Sequence, residues 1–240
     1  MVCNSGTSLV PTVSGAGHRF ETVGLYDGLF VMQDTESRTL WNHITGDAMY
    51  GPHVGESLGP VGNMLQMSAE QALAIDPNIE LAVSTRPYNK GNRPEADAGG
   101  RYRPSNKSAE LSSMFIETLG DEDARLPRMT MGLGVVSERL VRFYPMDLIE
   151  ENGAFVDDFD GDMVLIFADP TTFTPAALFV DASDAVLGER EVRLDTGGVV
   201  RMGVLYDQDG RRLDVERPQQ LFSRWYGFSL TFPGAEIMSQ

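Results

Sequence analysis

The side chains that can act as nucleophile, redox group or metal ligand are few in this chain: one cysteine and three histidines in 240 residues. Cys3 lies in Met1-Val2-Cys3-Asn4-Ser5-Gly6-Thr7, which reads as the end of a buried strand entering a tight Asn/Ser/Gly turn. A thiolate in such a place can attack or bind a metal, whereas a lone cysteine more often packs as a small hydrophobe. A single cysteine excludes an internal disulfide framework and any multi-cysteine zinc site within these residues. His18, His43 and His53 are ligand types that take zinc or copper together with a thiolate. Their separations of 25 and 10 residues match no ligand signature, so neither a metal nor a cofactor is expected.

Other chemistry-bearing stretches have plainer explanations. Asp157-Asp158-Phe159-Asp160-Gly161-Asp162 lacks the spacing and closing glutamate of a helix-loop-helix calcium site, and reads as a hairpin turn. Asp34 and Asp207 head turns in which the carboxylate caps the backbone. Trp41 and Trp225 are expected in the core. Arg86, Lys90, Arg93, Arg101, Arg103 and Lys107 lie in a polar, Pro/Gly-rich stretch, where they read as a solvated loop or as an anion contact surface. No Gly-Lys-Ser phosphate loop, serine-centred elbow or His-Glu-x-x-His helix is present.

The charge balance narrows the partners. Nineteen basic against 35 acidic residues give −16, which argues against nucleic acid and anionic membrane surfaces, since both need a basic face. No apolar run approaches the roughly 18 residues a membrane span requires.

Positioning these residues falls to a β-rich set of elements. His18–Gly24 and Gly28–Asp34 alternate like strands around the turn Leu25-Tyr26-Asp27-Gly28, and the turn at Asp34 leads to another strand. Ser68, with Gln71 three residues on, is a capping box for a helix that Asp76-Pro77 stops; Ile79–Val83 follows as a strand. Arg128–Ile149 reads as a hairpin turning at Ser137-Glu138 with a short helix after Pro145. Met163–Asp169 is one continuous apolar run, hence a strand buried on both faces. Ala176–Val180, Glu191–Asp195 and Val199–Asp207 are three further strands, and Pro218–Phe232 is a closing helix with an aromatic face. The glycines of Gly132-Leu133-Gly134 indicate close packing. The pattern is α+β, predominantly antiparallel, with no βαβ alternation.

The chain also resembles itself. Arg19–Gly24 matches Arg193–Gly198, and the stretch around Asp34 matches that around Asp207. Two degenerate β-rich repeats are therefore expected: residues 1–85, a polar connection over 86–127, and residues 128–240, packed as one domain. Sliding the second over the first sets Met1-Val2-Cys3 against Asp169-Pro170-Thr171. On that register the sequence begins inside its first repeat.

Val2–Thr7, Asp34–Leu58 with Trp41, Thr45-Gly46-Asp47-Ala48 and Gly51-Pro52, Asp76–Leu81, Leu126–Val135, Arg142–Ile149, Leu165–Pro170 and the closing Phe232–Ile237 resemble, in order, the domain of unknown function 3179 family. The resemblance implies a Cys-x-x-Cys pair at the first turn, with selenocysteine replacing one cysteine in some members. Cys3 matches the second position, and the first falls immediately before Met1. It thus implies a thiol or selenol redox protein with Cys3 as resolving thiol, Asn4, Ser5, Gly6 and Thr7 supplying turn amides and hydroxyls, and a thiol, disulfide or small molecule as partner. Trp41 and His43 would lie nearby. A metal- or ligand-binding or sensor module is the alternative. Members are often extracytoplasmic, an expectation carried over for the full-length protein.

Overall fold

The computed structural model describes residues 6–59, 61–83 and 111–239. It is a β-rich α+β fold of small antiparallel sheets and four short helices among the described residues. Two short pairings come first: β1 (Thr7–Leu9) with β8 (Val61–Asn63), and β2 (Thr12–Val13) with β3 (Ala16–Gly17). A meander follows, of β4 (Phe20–Tyr26), β5 (Leu29–Asp34), β6 (Leu40–Asn42) and β7 (Ala48–Tyr50). The capping box at Ser68 and Gln71 forms as expected and starts α1 (Ala69–Ile75). Ser112 caps the single turn α2 (Ser113–Ile116).

The main core lies in the rest of the chain. β9 (Met131–Val136) and β10 (Val141–Pro145) form the expected hairpin, and α3 (Met146–Asn152) follows at once. β11 (Ala154–Phe159), β12 (Asp162–Ala168) and β13 (Pro175–Phe179) make one sheet. β14 (Ala185–Leu187), β15 (Val192–Leu194), β16 (Val199–Arg201) and β17 (Val204–Tyr206) make a second meander. β18 (Gln219–Arg224) pairs with β9, α4 (Trp225–Thr231) follows it, and β19 (Glu236–Ile237) joins β10 in parallel. β12 explains its own composition. Leu165 and Phe167 pack toward β14–β17, while Val164, Ile166 and Ala168 pack toward β9, β10 and α3.

Three expectations need correction. Ile79–Val83 forms no strand; Leu81 and Val83 are 82% and 77% exposed and pair with no described strand. Val199–Asp207 is not one strand but the hairpin β16–β17, because Met202 and Gly203 adopt φ of 54° and 76° in a two-residue turn. Pro218–Phe232 is not wholly a helix. Its first half is β18, whose ladder to β9 outweighs the helical spacing of its apolar residues, and only Trp225–Thr231 is helical. The apolar half of that expectation holds: Trp225 and Phe228 stack with Phe143 on the face of β9 and β10.

β9 is flat enough for this only because it carries glycines. A Cβ on Gly134 would lie 1.9 Å from the Phe228 ring, and one on Gly132 would lie 2.5 Å from Phe143. Overpacked cores typically lose about 1–3 kcal/mol, sometimes more. Gly134→Ala is expected to lose about 3 kcal/mol in urea unfolding, while Gly210→Ala, where a Cβ meets nothing, pays only the strain of its positive φ.

Candidate functional site

The first meander gathers two histidines and three carboxylates around Trp41. The hairpin β4–β5 turns at Asp27-Gly28, both left-handed, and a bulge between Thr22 and Gly24 shifts its register by one. Past that bulge Phe20 pairs with Asp34, and continuing the register sets His18 opposite Glu36. Arg19 O accepts from Thr35 N, 2.9 Å away, in the same register. Without the bulge His18 would face Ser37 instead.

Asp34 is fully buried and organises the loop after β5. Its backbone N donates to Thr39 O, and Arg38 takes a left-handed φ of 63°. Its Oδ1 accepts from Ser37 N at 2.5 Å, and its Oδ2 accepts from Ser37 Oγ, Thr39 N and Trp41 Nε1 at 2.6, 3.1 and 2.9 Å. Burial alone would raise its pKa. The hydrogen bonds from Ser37 and Trp41, with His18 alongside, outweigh burial and hold the carboxyl well below the usual carboxylate range.

His18 sets its Nδ1 3.3 Å from Asp34 Oδ1. That nitrogen is buried and makes no hydrogen bond. His53 stacks on Trp41 with ring centres 6.1 Å apart and meets His18 edge-on at 5.9 Å. His53 Nδ1 is 2.8 Å from Glu56 Oε1, and Glu56 also accepts from Ser14 Oγ. Glu36 accepts from Arg19 N and Thr35 Oγ1. One potential ligand atom from each of His18, Asp34 and Glu36 falls within 4.8 Å of the others.

Cys3, Asn4 and Ser5 lie outside the described residues, as do the loop cations from Arg86 to Lys107. Gly6 sits against Met64, and Thr7 Oγ1 donates to His43 O and Ile44 O at 2.9 and 3.0 Å. His43 itself turns to Phe30, sharing a 2.8 Å hydrogen bond between its Nδ1 and Phe30 O. Trp41 is buried as expected, with Phe20 edge-on to it and His53 stacked on it. Histidine spacing concealed this grouping, because His18 and His53 meet across the sheet and the carboxylates arrive through the register of one bulged hairpin. Asp34 and Glu36 at i and i+2, beside a strand that starts after a histidine, are the only sequence trace of it.

Fold and geometry together define a β-rich α+β protein whose first meander carries a histidine–carboxylate cluster. The chain belongs to the family described as protein of unknown function (DUF3179), whose model matches residues 1–225. No curated protein and no solved structure matches it. No helix among the described residues is long and apolar enough to cross a membrane.

The Asp34 network has a pH signature. Because its folded pKa is depressed, its stabilisation is complete above the unfolded value near 4 and is lost as pH falls below that. Asp34→Asn is expected to cost about 2 kcal/mol or more at pH 7, with the gap to the native chain narrowing below about pH 4. Urea unfolding at pH 7 and pH 3 measures it; an equal gap at both would count against the assignment.

Proposed function

We propose that this protein is a divalent-metal-binding module whose ligands are His18, Asp34 and Glu36, with His53 and Glu56 adjoining. The observation that carries it is the buried His18 Nδ1, which lies 3.3 Å from an Asp34 carboxylate oxygen yet makes no hydrogen bond among the described residues. Ligands about 2.0–2.1 Å from a tetrahedral ion stand about 3.3 Å apart. The His18–Asp34 separation of 3.3 Å is already that edge, and Glu36, whose side chain is 34% exposed, can swing to close the third position. Mixed nitrogen and oxygen donors suit zinc better than calcium or magnesium. In equilibrium dialysis with zinc, about one equivalent is expected. His18→Ala should weaken binding at least about tenfold and His43→Ala should leave it unchanged. Equal binding by both variants, or none by the native chain, refutes the site.

A second reading is a thiol or selenol redox protein with Cys3 as the resolving thiol of a Cys/selenocysteine-x-x-Cys motif. Its support is the double hydrogen bond from Thr7 to His43 and Ile44, which ties the segment following Cys3 to the turn after β6. This chain should then form at most one equivalent of mixed disulfide, at Cys3, with a disulfide substrate, as counted by mass spectrometry. Repeated turnover without added thiol excludes it.

The duplication into residues 1–85 and 128–240 belongs to the same proposal. Its support is a recurring sequence of turns. A two-residue left-handed hairpin at Asp27-Gly28 is followed by the Asp34 turn, and one at Met202-Gly203 is followed by the Asp207 turn.

A further inference from the structure

A second recess lies away from the histidine cluster, between α1 and the β12–β13 turn, and its walls carry polar groups that the protein leaves incompletely paired. Arg217 is largely buried there. Its Nη2 donates to Gly203 O at 2.7 Å and its Nη1 reaches Ala177 O at 3.5 Å, yet it forms no ion pair with any described carboxylate. Desolvation pushes its pKa down, the mark of a cation short of counter-charge. Arginines so buried ordinarily have a carboxylate or phosphate in the guanidinium fork.

Three other walls converge on the same space. Gln71 is 3% exposed; its Oε1 accepts from Ser68 N in the capping box, and its Nε2 amide donates to no group among the described residues. The Thr174 hydroxyl likewise has no partner among the described residues and lines the recess. Asp169, 4% exposed, places all three of its donors, Thr171 N, Thr172 N and Thr172 Oγ1, on Oδ1. Its Oδ2 has none. Arg217, Gln71, Thr174 and Asp169 thus line one cavity of about 30 Å³ that is open at its mouth. One water needs about 10–15 Å³ by this measure, so the enclosed part takes the two or three non-hydrogen atoms of a carboxylate, and the atoms bonded to it lie in the open mouth.

A bare anion would satisfy Arg217 and be repelled by Asp169. A bare cation would do the reverse. We propose that the recess binds a small carboxylate carrying a hydrogen-bond donor on its α-carbon, the carboxylate on Arg217, Gln71 and Thr174 and the donor on Asp169. The shared chemistry is an α-hydroxy or α-amino acid end, free or at the head of a longer molecule. This goes beyond the metal proposal and shares no residue with it.

Calorimetric titration of the full chain with lactate, alanine and propionate tests this. Saturable binding of lactate or alanine is expected, with propionate at least about tenfold weaker, since it leaves the Asp169 oxygen unpaired. The lactate and alanine arms distinguish hydroxyl from ammonium. Arg217→Gln should abolish binding, and Asp169→Asn, which keeps Oδ1 as turn acceptor, should shrink the preference over propionate to about threefold or less. If Arg217→Gln fails to fold by circular dichroism, Thr174→Val, at a half-buried position, should still weaken binding about fivefold. No saturation by lactate or alanine below about 50 mM, equal binding of propionate, or native affinity in the folded Arg217 and Thr174 variants overturns the proposal.

Discussion

Two side-chain amides hold the sheets of this protein to one another. Gln220, 3% exposed in β18, accepts from Ala177 N at 2.8 Å through its Oε1 and donates to Ala177 O at 3.0 Å through its Nε2. It thus acts toward β13 as a neighbouring strand would. Asn63 in β8 does the same toward β18, accepting from Gln220 N and donating to Pro218 O at 2.8 and 2.9 Å. β8, β18 and β13 are in this way coupled without a shared ladder. A buried amide without partners costs several kcal/mol, so each of these bonds resists any slide of one sheet along the next. The Arg217 recess lies beside this junction, with Arg217 only three residues before Gln220. That is why its walls can come from residues as distant as 71, 169 and 217 and still keep fixed positions.

Both candidate sites rest on one local device. Asp34 N donates to Thr39 O and Asp169 N to Thr174 O, at 3.1 and 3.0 Å. Arg38 N and Phe173 N donate back to the leading aspartate's carbonyl, and both residues are left-handed, at φ of 63° and 57°. A six-residue loop closed by its own aspartate thus ends a strand with a buried negative charge. Left-handed arginine and phenylalanine carry a conformational cost that glycine would not. The aspartate's hydrogen bonds offset it. At Asp207 the turn is one residue shorter and Gly210 supplies the left-handed position, so the carboxylate need only accept from Asp209 N and Arg211 N.

Features that depend on neighbouring residues were legible in the sequence. The Ser68 capping box, the Asp27-Gly28 and Asp160-Gly161 turns, the hairpin at Ser137 and the doubly buried β12 all follow from local chemistry. What escaped depends on partners far along the chain. Gln219–Arg224 carries apolar residues at spacings that suit a helix, and only the free edge of β9 makes it a strand. Met202 is not a turn-former, and its left-handed conformation is imposed by pairing of β16 with β17. The histidine cluster was hidden for a third reason: a one-residue bulge decides which carboxylate faces His18, and nothing in Thr22-Val23-Gly24 announces it beyond the glycine.

Several polar clusters elsewhere in this fold are mutually satisfied, with Glu122 Oε1 a buried exception outside both places, and the contrast bears on function. Arg142 donates to Asp157 and Glu236, and Tyr144 donates to the same Asp157 oxygen at 2.6 Å, which ties β10, β11 and β19 together with nothing left over. Asp195 is occupied by Ser183, and Glu191 by Arg193 and Arg201. Against that background His18 Nδ1 stands out as a buried nitrogen without a hydrogen bond, and Arg217, the Gln71 amide and Asp169 Oδ2 as groups lining a recess with capacity that the described residues do not use. Folding alone would favour apolar residues of similar volume at such positions, since an unused buried polar group only subtracts from stability. Their grouping in two places, each anchored by an aspartate-closed loop, is the pattern expected when the missing partners are supplied from outside the chain.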